Sequence, residues 1–253
     1  MAEVITIALI ERKPGVSRSL YSRYWRDVHG VMAVRITGFG SYTQNHITPM
    51  HDVGARNPEP WEGIAVLTFF DEKDRHALVT SQITKYIHRD EQNVFRRALL
   101  YNLAPGAGLS FAQSKDAVTI FLVVPQGHEG SAVAKALTAD GASHCTLYDL
   151  ASGDPKAWNA ADVDEGRRFA AIIETRWTSE KAGRDAVSRA IAKSDGAVAA
   201  YKLDERWVMV ENGRPTPIGL RGLDAVRTIE EINAVNQLEH EIEDAIYGKL
   251  ARS

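Results

Sequence analysis

The stretch Tyr24-Trp25-Arg26-Asp27-Val28-His29-Gly30 gathers groups that can move a proton or hold a flat ring. Imidazole titrates near neutrality, so His29 suits general acid–base work. Tyr21, Trp25 and His29 fall at i, i+4 and i+8, one stripe of a helix. Gly30 thins the surface beside His29, and Arg26 and Asp27 give it polar company. Farther along, Arg35 offers a fork of donors that fits a carboxylate. The segment Phe39 to Ile47 then alternates, with Tyr42, Gln44 and His46 on one face and Ser41, Thr43, Asn45 and Ile47 on the other.

Each feature also has a plainer reading. A histidine on an apolar helix face is more often a hydrogen-bonded core residue than a catalyst. Tyr42, Gln44 and His46 can equally be the solvated face of an antiparallel strand. Arg35 can be a surface ion-pair partner. The parity of the strand is legible in the sequence; which face turns inward is not. His88, His144 and Tyr148 read as structural or exposed groups. Ser143-His144-Cys145 has no acid partner that would make a nucleophilic triad, and His46, His51 and Asp52 match no metal-ligand spacing, so no metal is expected.

The elements that position these groups repeat. Val4–Ile10 is a short β-branched run and reads as a buried strand. Ser17 offers an N-cap for a helix over Ser19–Ile36, ended by Gly38. Strands are expected at Phe39–Ile47, Trp61–Phe70 and Arg97–Leu103, with helix over most of Asp71–Phe95 and a long loop, lid-like in length, at Thr48–Pro60. That order is β-α-β-β-α-β, a ferredoxin-like unit. After Pro105-Gly106-Ala107-Gly108 the order begins again. Strands are expected at Ala117–Val124, Cys145–Leu150, Phe169–Trp177 and Ala197–Val210, and helices at Gly130–Thr138 and Ser179–Lys193. The tail Leu223–Leu250 carries an apolar stripe (Val226, Ile229, Ile232, Val235, Leu238, Ile242, Ile246) and reads as one long amphipathic helix. The expectation is therefore an α+β chain of two tandem ferredoxin-like units, 1–108 and 109–253, packed sheet to sheet as an α+β barrel, with a C-terminal helix added. A ligand cavity is expected between the two sheets, since a bare sheet face must be covered and barrel mouths are favoured ligand sites.

Composition bounds the rest. The 253 residues include 44% hydrophobic and 25% charged residues, ordinary for a globular protein with a real core. The net charge of −3 and the lack of a basic stripe argue against nucleic acid as a partner. No apolar run is long enough to span a membrane. The one cysteine, Cys145, cannot form an internal disulfide, and a reducing cytoplasm is expected. The C-terminal stripe leaves open packing on its own barrel or on a second chain, as a homodimer.

The segment Leu20–His46 resembles the EthD-like family of the dimeric α+β barrel superfamily. The resemblance rests on Tyr24-Trp25, His29, Arg35, Gly38, Tyr42, Gln44-Asn45 and His46, in the order YW…H…G…Y…H. Residues 117–253 match only in element order and have no counterpart of Trp25 and His29, so one active pocket per chain is expected. The resemblance implies a cofactor-free barrel acting on small aromatic or polyketide-derived molecules. Among enzyme readings it favours a cis–trans isomerase of a ring-opened conjugated acid in the catabolism of lignin-derived aromatics. His29 would be the acid/base, Tyr42 and His46 its hydrogen-bonding or relay partners, and Arg35 the carboxylate clamp, with Trp25, Tyr24 and Gln44 around the substrate. A dehydratase, cyclase or decarboxylase, or a non-catalytic small-ligand carrier, is the alternative.

Overall fold

The computed structural model describes residues 4–53, 58–104, 108–111, 118–150, 154–157 and 168–249. The first unit runs β1 (Val4–Arg12), α1 (Arg18–Tyr24), a π-helical turn (Trp25–Gly30), α2 (Val31–Ala33), β2 (Phe39–Pro49) and β3 (Trp61–Phe69). It continues through α3 (Glu72–Arg75), α4 (Ala77–Thr80), α5 (Thr84–Val94) and β4 (Phe95–Asn102). The second runs β5 (Gly108–Phe111), β6 (Val118–Pro125), α6 (Gly130–Ala139), β7 (His144–Asp149), β8 (Asp154–Ala157), β9 (Phe169–Trp177), α7 (Glu180–Ala192) and β10 (Ala199–Glu211). A short β11 (Arg214–Pro215), α8 (Pro217–Arg221), α9 (Leu223–Glu231), a 3₁₀ turn (Val235–Leu238) and α10 (His240–Tyr247) follow. Both β-α-β-β-α-β units are thus present.

All the strands belong to one curled antiparallel sheet, ordered β5-β7-β9-β6-β10-β2-β3-β1-β4-β8, with β11 on β10. Strand β10 joins the halves. Its first residues, Ala199–Lys202, pair with β6, and Tyr201–Val210 pair with β2. The curl brings the two inner faces together. Ile7, Leu9, Ile47, Trp61, Ile64 and Tyr101 of the first unit pack there against Phe121, Tyr148, Phe169, Ile172 and Tyr201 of the second. The space between the sheets, where a ligand cavity was expected, is filled by these side chains. The outer faces carry the helices. One helix–sheet layer holds Tyr21, Trp25, Tyr42, Ile87 and Phe95; the other holds Ala134, Leu137, Ile173, Trp177, Val187 and Ile191.

Three expected elements differ. The helix over Ser19–Ile36 is an α–π–α succession, begun by Ser17, whose hydroxyl accepts from the Leu20 N–H. The helix over Asp71–Phe95 is three short pieces. The long C-terminal helix is broken at Asn233, whose φ of 60° is left-handed and closes α9. Its apolar stripe lies largely outside the core, with Ile232 76% exposed. Within the expected Thr48–Pro60 lid, Met50 and Val53 are buried in the second unit's core, so this part is docked in place; residues 54–57 fall outside the described set, as do 105–107 of the expected linker and the last residue of the expected C-terminal helix. Among the described residues, no helix is long and apolar enough to cross a membrane, and no cluster of His, Cys, Asp or Glu is arranged to hold a metal ion.

Candidate active site

The π-helical turn is the local peculiarity of the chain, and it coincides with WRDVHG. π-Turns are wider than α-turns and concentrate at functional positions. Here the turn buries Trp25, Arg26, His29 and Gly30 together, more of the circumference than the stripe of an ordinary surface helix. Arg26 is spent locally. It bonds both oxygens of Asp27 at 2.8 and 2.6 Å and lies over the Trp207 ring. Asp27 in turn accepts from the Leu223 N–H at 2.8 Å. The start of α9 is thereby tied to the π-turn.

Two glycines let the turn sit this close. A Cβ on Gly63 of β3 would lie 2.5 Å from the Tyr21 hydroxyl and 2.6 Å from the Trp25 ring, so both rings pack directly on bare backbone. A Cβ on Gly30 would lie 2.6 Å from Met209 Cε and 2.7 Å from Gln44 Nε2. We expect Gly30→Ala to cost about 1–3 kcal/mol of stability through overpacking, read by chemical denaturation. An unchanged denaturation midpoint would show that Gln44 and Met209 move aside freely.

Under the turn lies a cavity of about 70 Å³ between the helices and the sheet. Its walls are mainly apolar: Ala8, Ile10, Ile36, Phe39, Ala65, Leu67, Phe95 and Leu100, with Leu78 and Ile87 from α4 and α5. Trp25, His29, Tyr42 and Glu91 supply its polar groups. Among the described residues, no Lys or Arg lines it.

His29 is 6% exposed. Its Nδ1 is 3.0 Å from Asp90 Oδ2. Asp90 also accepts from the Tyr24 hydroxyl at 2.5 Å. Burial works against ionisation of Asp90, but the hydrogen bonds from His29 and Tyr24 outweigh it and hold the carboxyl below its ordinary range. An anionic Asp90 requires the proton of a neutral His29 to sit on Nδ1, which leaves Nε2 bare. Phe95 packs edge-on against the ring at 5.1 Å.

Tyr42 is 3% exposed. Burial pushes its hydroxyl to about 12, against a smaller lowering by Gln44, so it enters the site protonated. The Gln44 amide donates to the Tyr42 oxygen at 2.9 Å and to the Trp25 carbonyl at 3.0 Å. Thus the strand face bearing Tyr42, Gln44 and His46 turns toward the helices, and Thr43, Asn45 and Ile47 turn toward the second sheet.

The expected site residues divide. His29, Trp25 and Tyr42 line the cavity, while Tyr24 and Gln44 stand behind it as hydrogen-bond partners. His46 lies on the far side of Trp25, its ring 4.5 Å from the indole. It borders a larger surface groove of about 640 Å³ with Arg18, Ser22, Arg23, Arg26 and Glu205. Burial, then the cations Arg26 and Arg18, press its pKa down to about 3, which leaves it neutral and unsuited to proton transfer near pH 7. Arg35 is exposed, stacked on Tyr247, and does not border the cavity.

Asp90 and Glu91 were not anticipated. A signal existed: with Ile87 and Val94 as core positions of the helix, Asp90 and Glu91 fall at i+3 and i+4 from Ile87 and share its buried face. Charged residues at core positions mark a site more often than a surface does.

Residues 13–97 match the EthD domain. The matched span holds the whole π-turn, β2, β3 and α5, and so every polar group of the cavity. Three solved structures are similar at low identity. An anthrone oxidase-like protein is 12% identical, with a TM-score of 0.47, covering 83% of this chain and 94% of that one. A protein assigned by inference as a monooxygenase from Fusobacterium nucleatum subsp. nucleatum is 10% identical, with a TM-score of 0.46 and coverage of 83% and 94%. A similarly assigned protein from Lactobacillus acidophilus is 11% identical, with a TM-score of 0.44 and coverage of 82% and 96%. No curated protein matches.

Proposed function

We propose that the first unit is an acid–base enzyme that enolises a small, flat, uncharged conjugated ketone, with His29 as the base and with the α4 and α5 wall of the cavity of about 70 Å³ moving outward to admit the ring. The observation that carries this reading is that His29, paired with Asp90, lines an apolar cavity that Tyr42 also lines. His29 Nε2 would take a proton from carbon or oxygen. Asp90 would stabilise the imidazolium that forms, and Tyr42 would donate to the oxygen on which charge develops. Returning the proton at another atom gives isomerisation. Attack of the enolate carbon on a second carbonyl of the same molecule, whose C=O π bond breaks and whose oxygen takes the proton held by the His29 imidazolium, gives cyclisation. Trp25 and Phe95 supply flat apolar walls suited to a conjugated substrate.

The geometry favours an uncharged reacting part over a carboxylate. Glu91 lines the cavity, and Arg35, expected as the clamp, is stacked on Tyr247 instead. A cis–trans isomerase of a ring-opened acid fits this site only if the acid group stays outside the cavity. The test is solvent-deuterium exchange into flat enolisable ketones such as 1-indanone and 2-tetralone, followed by mass spectrometry. Exchange above the buffer rate that disappears in His29→Gln supports the assignment. Exchange equal in both proteins would sink it.

A further inference from the structure

Between the cavity and the outer groove runs a chain of hydrogen bonds whose direction can be worked out. The Trp25 carbonyl can only accept, so the Gln44 atom 3.0 Å from it must be the amide nitrogen. The second hydrogen of that nitrogen goes to the Tyr42 oxygen at 2.9 Å. Gln44 Oε1 therefore faces His46 Nε2, at the long distance of 3.5 Å, which makes Nε2 the protonated nitrogen of a neutral ring. His46 Nδ1 is then an acceptor, and Ser22 Oγ stands 2.9 Å from it. Ser22 is also 3.1 Å from Glu205. Glu205 is exposed, whereas His46 is buried and, among the described residues, its Nδ1 is hydrogen-bonded to Ser22.

The chain thus reads His46 to Gln44 to Tyr42, each donating to the next, with Ser22 at its outer end. At its end the Tyr42 oxygen has received a hydrogen bond. The buried Trp25 indole N–H bears on the same oxygen without making a well-aligned bond. The Tyr42 hydrogen is left free of these bonds, and Tyr42 shares the cavity wall with Glu91, whose carboxylate bears on it.

We propose that Gln44 and His46 are positioning residues that fix the polarity of Tyr42 and make its hydroxyl the donor to a developing oxyanion in the cavity. The reading rests on the cavity being the reactive site proposed above. It assigns His46 no proton transfer of its own. The π-turn and Gly30 are part of the device, because the Gly30 position is what leaves room for the Gln44 amide beside the Trp25 carbonyl.

The probe is 4-nitrophenol, whose absorbance reports its own ionisation. Bound to the wild-type protein it is expected to ionise about one pH unit or more below its value in water, a tenfold preference for the oxyanion. Tyr42→Phe should abolish the shift. Gln44→Glu should abolish it too, because a carboxylate at 44 accepts from Tyr42 and turns its hydrogen away from the cavity. Gln44→Met keeps the volume without the polarity and should give an intermediate shift, which covers the case in which Gln44→Glu does not fold. His46→Gln retains an amide donor toward Gln44 and should preserve the shift, while His46→Leu should reduce it. Failure of the wild-type protein to bind or shift the probe overturns the proposal. So does a full shift in folded Tyr42→Phe, or in both Gln44 variants. The proton-transfer reading fails separately, when the probe behaves as stated but no ketone exchanges deuterium.

Discussion

His29→Gln is expected to lower the rate of solvent-deuterium exchange by about 10²-fold or more, with little effect on stability. General bases contribute about 10²–10⁴-fold, and glutamine can still reach Asp90 with an amide N–H while offering no basic nitrogen. Asp90→Asn should cost a comparable factor by a different route. Its amide can donate to Nδ1, which would move the ring proton to Nε2 and remove the lone pair from the cavity. It also leaves a forming imidazolium without its buried counter-charge. Tyr24→Phe removes the 2.5 Å bond to the far oxygen of Asp90 and a long contact from Asn93, and should cost less than either. The order His29→Gln and Asp90→Asn well below Tyr24→Phe, measured at saturating ketone, is specific to a base oriented by a carboxylate. Equal small losses in all three would indicate a structural hydrogen-bond cluster instead.

Much of this site is legible as sequence and much is not, for identifiable reasons. The alternation of β2 fixes which residues share a face, so Tyr42, Gln44 and His46 group together on spacing alone. Local periodicity says nothing of which layer covers that face. Here the covering layer is the helix pair of the same unit, because the inner face is needed to pack the two halves together through Ile47, Trp61, Phe121 and Tyr201. The cavity described here therefore lies on the other side of the sheet from the pocket expected between the sheets, and of the residues expected around that pocket Trp25, His29 and Tyr42 line it. The π-turn escapes a sequence reading because helical spacing at i, i+4 and i+8 is read the same way for Tyr21, Trp25 and His29 whether or not one turn is wide. It is the wide turn that lets Gln44 reach the Trp25 carbonyl. The C-terminal stripe is real as a pattern, but Asn233 breaks the helix that would carry it. The docked part of the tail is set instead by Leu223, whose N–H meets Asp27, a contact between residues far apart in the chain.

His46 should make the protein lose stability in mild acid, before most carboxylates titrate. Its folded pKa is pressed from 6.5 to about 3 by burial and by Arg26 and Arg18, with Asp27 opposing. A depressed folded value means that the unfolded chain binds a proton the folded one refuses. The contribution is therefore complete above pH 6.5 and is lost progressively as pH falls toward 3. One pH unit corresponds to about 1.4 kcal/mol, so the fall between about pH 6.5 and 5 is expected to be about 2 kcal/mol, measured by chemical denaturation. The carboxylates held below their ordinary range, Asp27, Glu59 and Asp90, lose their contributions with the same sign but chiefly below about pH 4, so the upper window isolates histidine. In His46→Gln, which keeps a donor to Gln44 and cannot titrate, the slope across that upper window should flatten while stability near neutral pH changes little. An undiminished slope in that variant would assign the acid sensitivity to another group. The same energetics explain why a histidine is tolerated in the chain of bonds behind Tyr42: a ring that refuses a proton near neutral pH keeps one nitrogen as donor and one as acceptor, and the direction of the chain requires both.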